Sequence, residues 1–186
     1  MSDPSPHTAF DGLLPQPAPI GDVRLNEWRG AIAMLMMRKG KADALAGRLS
    51  PPRGPKALVR DGLTFVATSP DSWLVLKDEA DATWARDFAV SFGDLASVSD
   101  LSGSYGVLHL TGAGARDLLQ RGVPIDLHPS TFPPGSAAVS LIAHVDVVLW
   151  ADPAGDGFFV AVFRSYAASF MHWLTTAAES GGITLG

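Results

Sequence analysis

Cysteine is absent from all 186 residues. Disulfides, thiolate metal sites and a cysteine nucleophile are therefore excluded, and the chain suits a reducing compartment. Positive charge is also scarce, with 14 Lys and Arg against 19 Asp and Glu and a formal net charge of −5. The longest basic stretch is Arg38-Lys39-Gly40-Lys41. That is too little for a phosphate-binding surface, so nucleic acid is not an expected partner. No apolar run reaches the ~18 residues of a membrane-spanning helix. Residues 1–19 have neither the basic start nor the apolar middle of a secretory signal. The expectation is a cytoplasmic protein. Charge of either sign is thin: 18% of residues are charged and 47% are hydrophobic, where ordinary soluble domains carry ~25% charge. A surface so short of charge suits a protein partly covered by another chain, and equally one with a tight core.

The length fits one domain, or two small α+β halves sharing a core. Residues 1–22 hold Pro4, Pro6, Pro15, Pro17 and Pro19, which remove amide donors and favour extended backbone. They read as an arm, either a free tail or a strap ordering on a partner through Phe10, Leu13, Leu14 and Ile20. From Leu25 to Lys39, Trp28, Ile32, Leu35 and Met36 fall on one face of a 3.6-residue period, which predicts a helix with a Met-rich stripe. A shorter helix through Leu45 and Leu49 precedes Pro51-Pro52. Asp61-Gly62 between two β-rich runs predicts a tight hairpin. A strand over Trp73–Lys77 and a helix over Glu79–Phe92, burying Trp84 and Phe88, complete the first half.

The second half starts near Ala96. It reads as a strand over Tyr105–Leu110, a short helix after Gly112-Ala-Gly114, an irregular stretch over Ile125–Gly135, and one bent or two separate strands within Ala137–Trp150. A strand over Phe158–Phe163 and a last helix follow. That helix is expected to be capped by Ser165, to bury Tyr166, Phe170, Trp173, Leu174 and Ala177, and to end at Gly181-Gly182. The two orders, α-β-β-β-α-β and β-α-β-β-α, lack regular alternation. They favour an α+β fold with largely antiparallel sheets. The expected divisions are an arm (1–22) and a domain (23–182) with halves at about 23–95 and 96–182.

Chemistry is hard to find. The histidines, His7, His109, His128, His144 and His172, form no i,i+4 pair and no HExxH, so no metal site is expected. His109 and His144 fall within predicted strands as structural residues, and His172 on the solvated side of the last helix. Gly112-Ala-Gly114 lacks the third glycine of a dinucleotide fingerprint, since Asp117 stands there; it reads as a tight turn. No G-x-S-x-G elbow occurs. Asp126 and His128 lie two apart, either tuning a base or holding the loop through side-chain-to-backbone bonds. Arg164 stands at a strand–helix seam, able to meet a carboxylate on a partner or within the chain.

Longer strings carry a resemblance. Ser97-Val-Ser-Asp100-Leu-Ser and His109-Leu-Thr-Gly112-Ala-Gly-Ala115-Arg-Asp-Leu-Leu119 are similar to the first-domain pattern of the glycine-cleavage T-protein (aminomethyltransferase) superfamily. Gly122-Val-Pro-Ile-Asp126-Leu-His128-Pro-Ser-Thr-Phe132-Pro-Pro-Gly135, Phe163-Arg164-Ser165-Tyr166-Ala, Trp173-Leu174 and Ser69-Pro70-Asp71-Ser-Trp73-Leu74 resemble the sarcosine oxidase gamma subunit family. The resemblance covers about Leu25 to Glu179. It implies a heterotetramer with alpha, beta and delta subunits that oxidatively demethylates sarcosine to glycine. The one-carbon unit goes to tetrahydrofolate or leaves as formaldehyde, and oxygen yields hydrogen peroxide. It places FAD, FMN, NAD, zinc and tetrahydrofolate on the partner subunits and none on this chain. It carries over no catalytic residue. Trp73, Asp126, His128, Arg164 and Ser165 come across as motif positions for fold or subunit contact. Alternatives are a gamma-type subunit acting with another N-methyl amino acid, a free-standing folate-binding T-protein-like protein, and a T-protein-like factor for iron–sulfur assembly, which the missing cysteine weakens.

Overall fold

The computed structural model describes residues 8–15, 21–81 and 83–186. Ile20, His7 and four of the arm's prolines lie outside the described residues. The elements in chain order are β1 (Arg24–Trp28), β2 (Gly30–Met37), α1 (Ala42–Arg48), β3 (Ala57–Arg60), β4 (Leu63–Ser69), β5 (Ser72–Asp78), α2 (Trp84–Val90) and β6 (Ala96–Asp100). There follow β7 (Tyr105–Thr111), α3 (Ala115–Gln120), β8 (Ala137–Ile142), β9 (Val145–Ala151), β10 (Phe158–Phe163), a 3₁₀ turn (Arg164–Tyr166) and α4 (Ala167–Gly181).

Two five-stranded antiparallel sheets result. The first has the order β3-β4-β5-β2-β6 and the second β1-β7-β10-β9-β8. Side chains alternate between faces, as pleated strands require, with one register shift between Ala67 and Ser69 of β4. In the first sheet, Leu35, Phe65, Trp73 and Val75 pack on the α1–α2 side with Leu45 and Phe92. Ile32, Val66, Leu74 and Leu76 point the other way, against Val107, Val148, Trp150 and Ala161 of the second sheet. The second sheet's remaining face carries Leu108, Leu149, Val160 and Val162 against α3 and α4 through Leu118, Phe170 and Leu174. The architecture is thus α+β in four layers: helices, sheet, sheet, helices. Residues 23–95 and 96–182 exchange a strand, because β1 joins the second sheet and β6 the first.

The helix expected over Leu25–Lys39 is instead β1 and β2. Apolar side chains in β2 alternate between two buried surfaces, Ala33 and Leu35 to one side and Ile32 and Met34 to the other. A run buried on both faces is apolar throughout and satisfies any period, including the helical one. Gly30 was the discriminating signal: a Cβ there would sit 2.4 Å from the Lys77 carbonyl oxygen and 2.5 Å from the Trp28 ring. Three further expectations need correction. Ser165 lies inside the 3₁₀ turn and does not cap α4, whose N-cap is Tyr166 with no side-chain bond. The 3₁₀ bonding satisfies entry donors that a cap would otherwise serve. Tyr166 is exposed rather than on the inner face. His144 occupies the β8–β9 turn, with positive φ at Ala143 (48°) and His144 (70°), not a strand.

Other expectations stand. Asp61-Gly62 forms the β3–β4 turn with φ of 50° and 72°. Gly182 ends α4 in the left-handed conformation. Residues 121–136 contain no helix or strand. Helix α2 starts only at Trp84, because Asp81 turns the chain first: its Oδ1 accepts from the Thr83 N–H and hydroxyl, each at 2.8 Å. Trp84 and Phe88 stack at 4.9 Å but are only half-buried.

Candidate functional site

An apolar cleft of about 720 Å³ is lined by Leu45 of α1, the 51–55 loop, the β4–β5 turn and the first half of β8. Trp73 builds its floor. The sequence places Trp73 on the helix side of β5, where it is 3% exposed, and its indole Nε1–H donates to the Pro52 carbonyl at 2.8 Å. That bond pins the Pro-rich loop at a fixed distance from the sheet. Ala67 and Leu45 complete the floor, and the charged lining is limited to Asp43, Arg53 and Asp71. The volume suits a ligand, but convergent polar groups, which orient small substrates, are few. The apolar part of the lining suits apolar side chains.

The Asp126–His128 loop lies on the far helical layer. Asp126 accepts the His128 N–H at 2.8 Å through Oδ1 and the Thr131 hydroxyl at 3.0 Å through Oδ2. The His128 backbone bond, and then the Thr131 bond, hold its carboxyl below the usual carboxylate range. His128 Nδ1 lies 2.8 Å from the Ser130 hydroxyl and accepts the Ser130 N–H at 3.3 Å. Two residues that sequence reading missed finish the job. Gln120 accepts the Leu127 N–H and donates to the Ile125 carbonyl, each at 2.8 Å. Arg116 donates to the Leu127 carbonyl while its guanidinium lies 4.9 Å from the Phe158 ring centroid. The side chains named here spend their bonds on the loop itself, the geometry of loop-holding rather than of a tuned base.

Arg164 and Ser165 occupy a third place, the exposed seam after β10. The Arg164 N–H donates to Ser104 at 2.7 Å, and its guanidinium reaches the Thr8 carbonyl at 3.4 Å. Nearby, Phe10 is buried at 1% exposure in this chain's own core, and its N–H donates to Glu27 at 3.1 Å. The expected strap therefore anchors Phe10 on its own chain, with Leu14 half-buried and Leu13 exposed. Between the sheets, neighbouring strands place His109, Phe159 and Trp150 in a stacked row with centroids 4.0 and 5.1 Å apart. His109 Nε2 is 3.5 Å from Asp152, and the indole N–H of Trp150 is buried with no hydrogen-bond partner among the described residues. Among the described residues, no three His, Asp or Glu side chains are placed to hold a metal ion, and no helix is long and apolar enough to cross a membrane.

The model of the sarcosine oxidase gamma subunit family matches residues 55–180. The chain belongs to that family. Its relatives include the sarcosine oxidase subunit gamma of an Arthrobacter species, 29% identical over 136 residues, and that of Corynebacterium sp. strain P-1, 29% identical over 137. In each case the match covers 73% of this chain and 66% of the relative, so the chain spans about two thirds of the length of the curated relatives it matches. Among solved structures, a chain of the heterotetrameric sarcosine oxidase from Corynebacterium sp. U-96, in complex with pyrrole 2-carboxylate, aligns at a TM-score of 0.73 and 25% identity over 87% of both chains. The glycine cleavage system aminomethyltransferase T from Bartonella henselae aligns at 0.60 and 14% identity, over 89% of this chain and 48% of that one; that likeness shows a shared fold.

The gamma-family match contains all five motif positions, Trp73, Asp126, His128, Arg164 and Ser165. The structure does not gather them into one site. Trp73 belongs to the first sheet's outer face, the Asp126–His128 loop to the second sheet's helical side, and Arg164–Ser165 to the seam beside Thr8.

Proposed function

We propose that this gamma-family chain is the gamma subunit of a heterotetrameric sarcosine oxidase-type complex, contributing assembly and not chemistry of its own. The observation that carries the reading is the alignment over 87% of both chains with a member of a heterotetrameric sarcosine oxidase. The spending of Asp126, Gln120 and Arg116 on the chain's own backbone supports a non-catalytic role. On this reading, alpha, beta and delta partners carry FAD, FMN, NAD, zinc and the tetrahydrofolate site. The complex oxidatively demethylates sarcosine to glycine, or a related N-methyl amino acid to its demethylated form, in the cytoplasm. Residues 23–182 act as one T-protein-like unit. Trp73, Asp126 and His128 hold the fold, while Arg164 and Ser165 meet a partner.

The test is co-expression with the candidate partners and purification through a tag on this chain. A flavin-coloured assembly that oxidises sarcosine is expected. Recovery of a folate-binding monomer with no flavin-containing partner overturns the reading.

A further inference from the structure

The two sheets have four outer edges, and three are protected. The start of β1 is covered by residues 184–186: Val23 donates to Thr184 at 3.1 Å, Leu25 to Gly186 at 3.0 Å, and Gly186 back to Val23 at 2.8 Å. Strand β3 is only four residues long, follows Lys56 and ends in Arg60. Strand β6 ends in Ser99-Asp100, and α2 packs beside it. Short strands, charges and covering segments are the ordinary means of blunting a sheet edge. Strand β8, Ala-Ala-Val-Ser-Leu-Ile, has none: it carries no charge, proline or bulge within Ala137–Ile142.

Its hydrogen-bonding direction follows from its turn. A two-residue turn with positive φ at both positions makes Ile142↔Val145 a hydrogen-bonded pair. Alternation then directs the N–H and C=O of Val139 and Leu141 away from β9, to the open side. The same parity holds at the strand's start, where the Ala137 N–H points outward and donates to the Pro55 carbonyl at 2.9 Å, while Ala57 donates to Gly135 at 2.8 Å. The edge therefore already accepts strand pairing from this chain at Ala137, and pairing stops there. Among the described residues, Val139 and Leu141 make no such bond, and they keep 56% and 45% of their surface exposed. Ala137 and Val139 also form one wall of the apolar cleft.

Resting on the gamma-subunit reading, we infer that an extended, apolar segment of a partner subunit adds as a strand to the outer edge of β8 and places alternate side chains in the cleft over Trp73. Main-chain pairing supplies the attachment and the cleft selects small or medium apolar side chains. A second copy of this chain fits less well. The symmetric pairing that matches Val139 with Leu141 sets the other copy's Ala143–His144 turn opposite Ala137, where Pro55 already sits.

Val139→Pro removes an outward N–H without touching the β9 ladder, and Val139→Lys and Leu141→Lys charge the edge while keeping every backbone group. Each variant is purified from co-expression with the partners, and each isolated chain is unfolded in urea. All three are expected to reduce recovery of the flavin-containing assembly about tenfold or more while the Lys variants unfold at the wild-type midpoint. In the wild-type complex, the Val139 and Leu141 amides are expected to exchange about tenfold more slowly, or less readily still, than in the isolated chain. Variants that assemble like wild type, or unchanged exchange at both amides, overturn the strand addition and leave the gamma reading intact. Failure of the wild-type chain to recover any partner overturns both. A wild-type dimer of the isolated chain that Val139→Lys dissolves assigns the edge to a second copy and overturns the partner segment.

Discussion

The second sheet ends in two edges that the chain treats in opposite ways. At β1, residues 184–186 lie along the strand's start and take up the outward groups of Val23 and the outward N–H of Leu25. Asp22 latches that closure: its Oδ2 accepts the Thr184 N–H at 2.9 Å and its carbonyl accepts the Gly114 N–H at 3.1 Å. Gly112 makes the latch possible, because with φ of 102° it brings the backbone so close that a Cβ would lie 2.4 Å from the Asp22 carbonyl oxygen. At β8 the corresponding groups are left open beside an apolar cleft. One edge serves the monomer's stability and the other is available to something outside it.

Breaking the closed edge gives the largest effects. Gly112→Val combines a backbone conformation that branched residues rarely adopt with a direct clash, and should cost about 3 kcal/mol or more, measured by urea unfolding of the isolated chain. Removing residues 184–186 deletes several backbone bonds; it should cost about 1–3 kcal/mol and accelerate exchange of the Leu25 amide, making β1 resemble β8. Asp22→Ala loses one charge-assisted bond, for about 1 kcal/mol by the same assay. Val139→Lys, on the open edge, should shift the isolated chain's stability by no more than about 0.5 kcal/mol. A large destabilisation there would erase the contrast between the edges.

The smallest effect concerns pH. The folded Asp126 carboxyl is depressed by the His128 and Thr131 hydrogen bonds. Its contribution is therefore present above the carboxyl's unfolded value and disappears as pH falls through the lower folded value. Protection of the His128 amide, relative to its intrinsic exchange rate, should fall as pH drops through that acid window, and Asp126→Asn should remove that loss of protection. A wild-type loop insensitive to acid would count against it.

Local chemistry made much of this fold readable. Asp61-Gly62 announced a hairpin, Gly181-Gly182 a helix end, and three prolines an irregular 125–135, because each depends on backbone preferences of adjacent residues. Strand β2 was not readable by period, since burial between a helix layer and a second sheet removed the polar face that distinguishes strand from helix. The gamma-family strings pointed to Trp73, and the structure gives it a floor and a pinning bond. The open edge was invisible beforehand. Nothing in Ala-Ala-Val-Ser-Leu-Ile says whether it lies inside a sheet or at its border; only the strand order decides that. Gln120 and Arg116 were hidden for a similar reason, as their loop partners become neighbours only after α3 turns back.

The strand exchange has a consequence for synthesis. Leu25 and Trp28 leave the ribosome early, yet their pairing partners, Leu110 and Val107, come much later. The first sheet likewise waits for β6 before Met34 and Leu35 gain their second neighbours. Neither sheet can close while only the first half of the chain has emerged. The nascent protein must carry an unpaired β1, with Leu25 and Trp28 uncovered, until β7 appears. That interval is when a chaperone, or an early-arriving partner subunit, has most to protect.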